Sequence, residues 1–191
     1  MARRCDDPGV MLRTAFLAAT AALLAVPPAT AQDDLPIRQS DPTGDVNIFD
    51  GGGTKPTTGQ RRTIDLERFT VAAHGDGVRF TFKIARIAAG RTFDQVVEAQ
   101  FQKTGQDDFV LDVLANPQHK NGTAYYSDDT ICLVDVATSR RTGTVRVDVP
   151  EGCVPAGAGV LRVMTYLQEK NGSGPGFSED TMRVRGVVTL R

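Results

Sequence analysis

Hard oxygen donors are concentrated in Asp41-Pro42-Thr43-Gly44-Asp45-Val46-Asn47, with Asp50 three residues on. Carboxylates and amides on a glycine-containing loop are what calcium takes, six to eight oxygens at about 2.3–2.6 Å. Asp45-x-Asn47 starts like an EF-hand loop, but Phe49 and Asp50 then stand where an oxygen ligand and a glycine are needed. The expectation is a non-EF calcium site drawing on Asp41, Asp45, Asn47 and Asp50, with distant carboxylates such as Asp65 or Asp180 completing it. The competing role for these residues is plain turn formation, since Asp-Pro and Thr-Gly-Asp are ordinary Asx-turn sequences. Calcium is the one cofactor that the residues bring forward.

Catalytic chemistry has little to work with. The chain has two histidines, His74 in a hairpin turn and His119 in a loop, so a nucleophile–base pair has few partners to choose from. Gly176-Phe177-Ser178-Glu179-Asp180 imitates a nucleophile elbow for three positions, then places Asp180 where the second glycine belongs. Ser178 reads better as a loop residue capping its neighbours. The expectation is that the protein is not an enzyme, with a secreted hydrolase using loop carboxylates as an alternative, because a carboxylate pair is set by the fold and not by local spacing.

The elements that must position these groups are strands. Ile64–Ala73 and Val78–Ile84 flank His74-Gly75-Asp76-Gly77, and Val78, Phe80, Phe82 and Ile84 alternate with Arg79, Thr81 and Lys83. That pattern predicts a β-hairpin with one buried face. Phe93, Val97, Ala99 and Phe101 alternate with Glu98, Gln100 and Gln102, and Thr104–Asp107 turns the chain into Phe109, Leu111 and Val113. Further strands are expected at Thr123–Ser127, Thr130–Val136, Thr144–Val149, Val160–Leu167 and Arg183–Leu190. The longest connectors are 150–159 and 169–180, where insertions and binding function both tend to sit. No segment holds a helical period. Eight or nine short strands, each with one apolar face, predict an all-β fold: an antiparallel β-sandwich of jelly-roll or immunoglobulin-like type, with a closed barrel as the alternative.

The start of the sequence gives the compartment. An apolar run from Ala15 to Val26 follows an Arg-bearing stretch and leads to Ala29-Thr30-Ala31 before Gln32, the layout of a secretory signal peptide with an Ala-x-Ala cleavage site. Met11 begins an equally conventional signal, in which case Cys5 falls outside the protein. The run is too short for a membrane span, which takes about 20 apolar residues, and the last residues carry no anchor pattern. The expected organisation is a signal peptide over 1–31, an irregular segment over 32–60 and one β-sandwich domain over 61–191. Cys132 and Cys153 then remain as a pair in an oxidising compartment and are expected to form one disulfide.

Charge excludes some partners. The 22 basic and 23 acidic residues of the chain become 19 and 21 once Arg3, Arg4, Arg13, Asp6 and Asp7 leave with the signal peptide. That balance favours neither nucleic acid nor an anionic membrane. The preference for Arg over Lys, with abundant Ala, Gly and Val, points to a bacterial source of high GC content.

Asp41-Pro42-Thr43-Gly44-Asp45-Val46, then Ile64-Asp65-Leu66 running through Phe69-Thr70-Val71 into a Gly-Asp-Gly turn and Val78-Arg79-Phe80-Thr81-Phe82, resembles a group of secreted actinobacterial β-sandwich proteins of unknown function. More loosely it is similar to DOMON domains and family-9 carbohydrate-binding modules. The resemblance implies a binding module with calcium at the Asp-rich loop and a sugar or haem on a sheet face or at loop tips. This chain departs from both ligand classes. It has no Trp for a sugar platform, and for haem ligation it offers only His74, His119, Met164 and Met182. The aromatic residues left for a sugar are Tyr125 and Tyr126, with Tyr166 and Phe177. Neighbours on a strand point to opposite faces, so one of Tyr125 and Tyr126 can join a surface platform while the other packs inward. The expected function is a secreted non-catalytic binding domain for cell-envelope or extracellular carbohydrate. The alternative is an extracellular protein-interaction or structural domain.

Overall fold

The computed structural model describes residues 35–48, 57–88, 93–103, 109–126, 130–170 and 178–190. The expected signal peptide, Asp50, the triple glycine 51–53 and the Asn171–Gly176 loop lie outside the described residues. Twelve strands form among the described residues: Ile37–Ser40 (β1), Asn47–Ile48 (β2), Leu66–His74 (β3), Gly77–Ile84 (β4), Phe93–Gln102 (β5), Phe109–Leu114 (β6), Asn121–Tyr126 (β7), Ile131–Ser139 (β8), Thr144–Val149 (β9), Ala158–Glu169 (β10), Ser178–Arg183 (β11) and Val188–Thr189 (β12). Two short helical turns accompany them, Thr58–Arg61 (α1) and Glu151–Cys153 after β9; α1 carries a capping box in which Thr57 and Gln60 satisfy each other's backbone N–H.

The first hairpin forms where the alternation places it. In β4 the buried and partly exposed positions alternate without a break, and β3 pairs with β4 through His74 opposite Gly77. Gly75 at φ 57° supplies the left-handed residue that a two-residue hairpin loop needs. At the β8–β9 turn, Gly143 at φ 62° accepts from Ile84 N at 2.8 Å, and a side chain there would strike the Ile84 carbonyl.

Every strand pair is antiparallel, and the order runs β1-β3-β4-β9-β8-β7-β6-β5-β10-β11-β2, with β12 on β10. The hydrogen-bonded path is continuous, so the described strands form one strongly curled, all-antiparallel half-barrel sheet. An alternating strand only declares that it has one buried face, and a curled sheet meets that demand as well as two stacked sheets do.

The curl is visible in the core. Phe80 on β4 and Phe109 on β6 stack with centroids 6.5 Å apart, although β9, β8 and β7 separate them along the sheet. Phe69 and Phe82 extend the same aromatic chain at 5.2 Å, and Tyr126 joins it against Phe109 at 5.4 Å. One apolar cluster runs through all of these strands. Burial of five phenylalanines, at roughly 1.5–3 kcal/mol for each such side chain, is a large favourable term for a domain of this size.

The two ends of the path approach each other along a seam. Gln39 on β1 donates to the Arg183 carbonyl on β11 at 2.8 Å and accepts from Arg185 N at 2.8 Å. The segment before β3 is fastened the same way: Thr165 Oγ1 donates to the Ile64 carbonyl, Gln95 Nε2 to the Thr63 carbonyl, and Asp180 Oδ2 accepts from Leu66 N at 2.7 Å. Buried polar groups are satisfied here by side chains reaching across a gap that the strand ladder leaves open.

Two sequence expectations change. The segment expected to be irregular contributes β1, β2 and α1. The strand expected at Arg183–Leu190 is instead Ser178–Arg183 followed by the short β12. The inward positions of β11 are Ser178, Asp180 and Met182, all buried, so two of its three core-facing residues are polar and the hydrophobic alternation that marks a strand is absent.

Cys132 and Cys153 form the expected disulfide, which ties the start of β8 to the helical turn after β9 across 21 residues. A loop of that length corresponds to about 3 kcal/mol of lost unfolded-chain entropy.

Candidate functional site

The loop from Asp41 to Val46 leaves β1, which lies beside β3, and arrives at β2, which lies beside β11. It therefore straddles the seam. Asp65 holds it from below, accepting Gly44 N at 2.9 Å, while Asp41 N donates to the Glu67 carbonyl at 3.0 Å. This placement brings ligand oxygens of Asp41, Asp45 and Asp180 within 4.8 Å of one another. Such a cluster can coordinate a divalent cation.

The electrostatics of the cluster are those of negative charge without compensation. Asp180 is 1 % exposed, and its carboxyl is pushed up to about 6 by burial, with the Asp45 and Asp65 charges adding to the effect and the Leu66 N–H opposing it. Asp41 is pushed up to about 7, by burial first and then by Asp180, Asp45 and Asp65. Asp41 Oδ2 is a buried oxygen with no hydrogen-bond partner, which costs on the order of 1–3 kcal/mol if nothing fills the gap. An orphaned buried carboxylate oxygen facing two further carboxylates fits a hard cation that takes oxygen ligands.

The structure thus unites Asp41 and Asp45 from the loop with Asp180, and places Asp65 just behind them, buried and engaged with Gly44. Asn47 is exposed on β2 opposite Glu179, on the other face of the sheet from Asp180. Asp180 arrives from a strand and not from the long loop that 169–180 was expected to be.

Tyr125 and Tyr126 divide as strand neighbours must. Tyr126 points inward onto Phe109 and its hydroxyl donates to the Cys153 carbonyl at 3.2 Å. Tyr125 points outward and is 39 % exposed, opposite Ile131. Ile131 and Leu133 on β8 are 67 % and 75 % exposed and extend the apolar surface beside it.

The same outward face carries a carboxylate pair that sequence reasoning missed. Glu98 on β5 lies directly opposite Asp112 on β6. Burial raises both carboxyls above the usual range. Gln100 Nε2 donates to Glu98 Oε1 at 2.5 Å, and the Tyr166 hydroxyl donates to Asp112 Oδ2 at 3.3 Å. The signal was present in the predicted β5–β6 hairpin, since a turn at 104–107 fixes which residues face each other.

Neither histidine meets a nucleophile in the described hydrogen bonds. His74 Nε2 contacts Arg79 Nη2 at 2.6 Å, and Arg79 forks onto Asp148 at 2.6 and 2.7 Å, so Asp148 is held below its usual carboxyl range. His74 and Asp148 edge an open hollow of about 470 Å³ that also takes in Asp76, Asp135 and Leu133. His119 is exposed in the turn after β6. Ser178 is fully buried at the start of β11, opposite Ile48, and not on a strand-to-helix elbow. Among the described residues no helix is long and apolar enough to cross a membrane.

Comparison with known proteins gives no matching family model and no matching curated protein.

Proposed function

We propose that this protein is a secreted, non-catalytic binding domain whose seam is closed by calcium. The observation that carries the reading is the orphaned, buried Asp41 Oδ2, set among carboxylates that the loop after β1 and the distant strand β11 bring together. Asp41, Asp45 and Asp180 would hold the ion, and Asp65 would orient the loop through Gly44. A bound dication supplies the positive charge that the cluster lacks and joins β1 and β2, at opposite ends of the sheet path, to β11. The carboxylates are then structural ligands and perform no chemistry on a substrate.

The ligand surface in this reading is the outward sheet face around Tyr125, and the ligand is an extracellular or cell-envelope carbohydrate. The exposed Tyr125 ring with flanking polar side chains supports it, because a sugar ring offers an apolar face for stacking and hydroxyls for hydrogen bonds. The similarity of the Asp-Pro-Thr-Gly-Asp segment to family-9 carbohydrate-binding modules and DOMON domains agrees with calcium at the loop.

Isothermal titration calorimetry of chelator-treated protein with Ca²⁺ tests the calcium reading. One site per chain, abolished by Asp180→Asn and retained by Asn47→Ala, is the expected result. A flat titration, or one that survives Asp180→Asn, removes the proposal.

A further inference from the structure

We propose that the open hollow beside β8 docks an extended polypeptide segment of a partner protein, one that carries an apolar residue and, two positions along, an arginine or lysine. The site lies on the far side of Leu133 from Tyr125 and stands independently of the carbohydrate reading.

The apolar half of the site comes from the alternation of β8. Val134 and Val136 fill its core-facing positions, so Ile131, Leu133 and Asp135 share the outward face. Leu133, at 75 % exposed, and Ile131, at 67 %, are the two most exposed large hydrophobic side chains among the described residues. They stand next to each other on one face, where folding asks nothing apolar of them. Leu133 also lines the hollow of about 470 Å³, together with the β3–β4 turn and the end of β9. An apolar ledge that runs into a concavity offers a side chain of a partner both contact and enclosure.

The hollow is braced before anything enters it. Cys132, next to Leu133, is bonded to Cys153, two residues past the lining residue Glu151. The disulfide therefore ties two segments that line the hollow to each other, which lowers the ordering cost of binding.

Charge defines the occupant. The lining includes Asp76, Asp135, Asp148 and Glu151, and neither lysine nor arginine. Asp148 is already satisfied by the Arg79 fork, so it is not the receiving group. Asp76 and Asp135 are exposed and form no ion pair among the described residues. A basic segment is attracted here and an acidic one repelled.

The spacing on β8 sets the pattern. Leu133 and Asp135 are two residues apart on one strand face, roughly 6.7 Å. An extended segment repeats its own same-side residues at that interval, so one apolar and one basic residue two positions apart meet Leu133 and Asp135 together. A second basic residue can then reach Asp76 across the hollow.

The test is selection of random peptides displayed on phage against the unaltered protein, followed by fluorescence anisotropy of the enriched sequences as synthetic peptides. The expected result is enrichment of an apolar residue with Arg or Lys two positions away. Affinity should fall roughly tenfold or more in Leu133→Ser and in Asp135→Lys, and stay unchanged in Tyr125→Ala. No enrichment, or enrichment of sequences without that pattern, overturns the proposal. Binding that survives Leu133→Ser and is displaced by spermine identifies a general anionic surface and overturns the peptide site. Loss in Tyr125→Ala as large as in Leu133→Ser moves the contact to the Tyr125 face and overturns the hollow.

Discussion

Two acidic regions of this protein differ in what surrounds their charge. At the seam, Asp41, Asp45 and Asp180 crowd three carboxylates within 4.8 Å and leave one buried oxygen without a partner. On the outward face, Glu98 and Asp112 stand as a pair whose oxygens have neutral donors and whose neighbours are rings and long side chains. In both places burial raises the carboxyls. The number of oxygens and their partners separate them: a dense oxygen set suits a small hard ion, while a pair held by neutral donors is satisfied within the protein.

The largest expected effect belongs to the seam. Calcium at 100 times its Kd should stabilise the protein by about 2.7 kcal/mol, a rise in Tm of roughly 5–10 °C for a domain of this size. Asp180→Asn should abolish that rise, whereas Glu98→Gln should leave it intact. If Glu98→Gln removed it, the two regions would be one electrostatic unit and the distinction between them would fail.

The second prediction concerns pH. A carboxyl whose folded pKa lies above its unfolded value binds more protons in the folded state, so it favours folding at low pH and loses that contribution as pH rises. With Asp41 at about 7 and Asp180 at about 6, metal-free protein should lose stability as pH climbs from about 4 to 7. Calcium should reverse the trend, and its stabilising effect should be small at pH 5 and full at pH 8. Denaturant melts at a series of pH values, with chelator and with Ca²⁺, measure it. A metal-free stability that stays level across that range would show that the seam carboxylates are not in conflict.

A third variant probes the seam without touching a carboxylate. Gln39→Ala removes two hydrogen bonds between β1 and the end of β11, with an expected loss of about 1–2 kcal/mol. The effect should shrink when calcium is present, because the ion holds the same edges together. The smallest effect is expected on the outward face, where Glu98→Gln relieves like-charge repulsion and should raise metal-free stability by at most about 1 kcal/mol. Urea melts resolve both, and a marked destabilisation by Glu98→Gln would mean that the hydrogen bonds of the pair outweigh its repulsion.

Much of the strand content was legible. In β4, β5, β6 and β9 the side chains that pack inward are those of the apolar alternation, and the disulfide is the Cys132–Cys153 pair that the sequence put forward. β11 was not legible, because Ser178 and Asp180 fill core-facing positions that the pattern search expects to be apolar. β1 and β2 are four and two residues long, too short for a period to register. Of the seam site, Asp41 and Asp45 were readable as a loop motif. Asp180 was one distant carboxylate among several until β11 and β2 were seen to lie side by side.

What the sequence by itself determined is local: which residues alternate, where the chain turns, and that Tyr125 and Tyr126 must face opposite ways. A period of two follows from the covalent geometry of an extended chain and needs no partner strand. The tertiary structure alone decided that the sheet curls on itself, that its two ends meet at Asp180, and that Glu98 confronts Asp112. Those facts depend on which strands pair and in what register, and pairing is a long-range choice settled by the packing of one shared core.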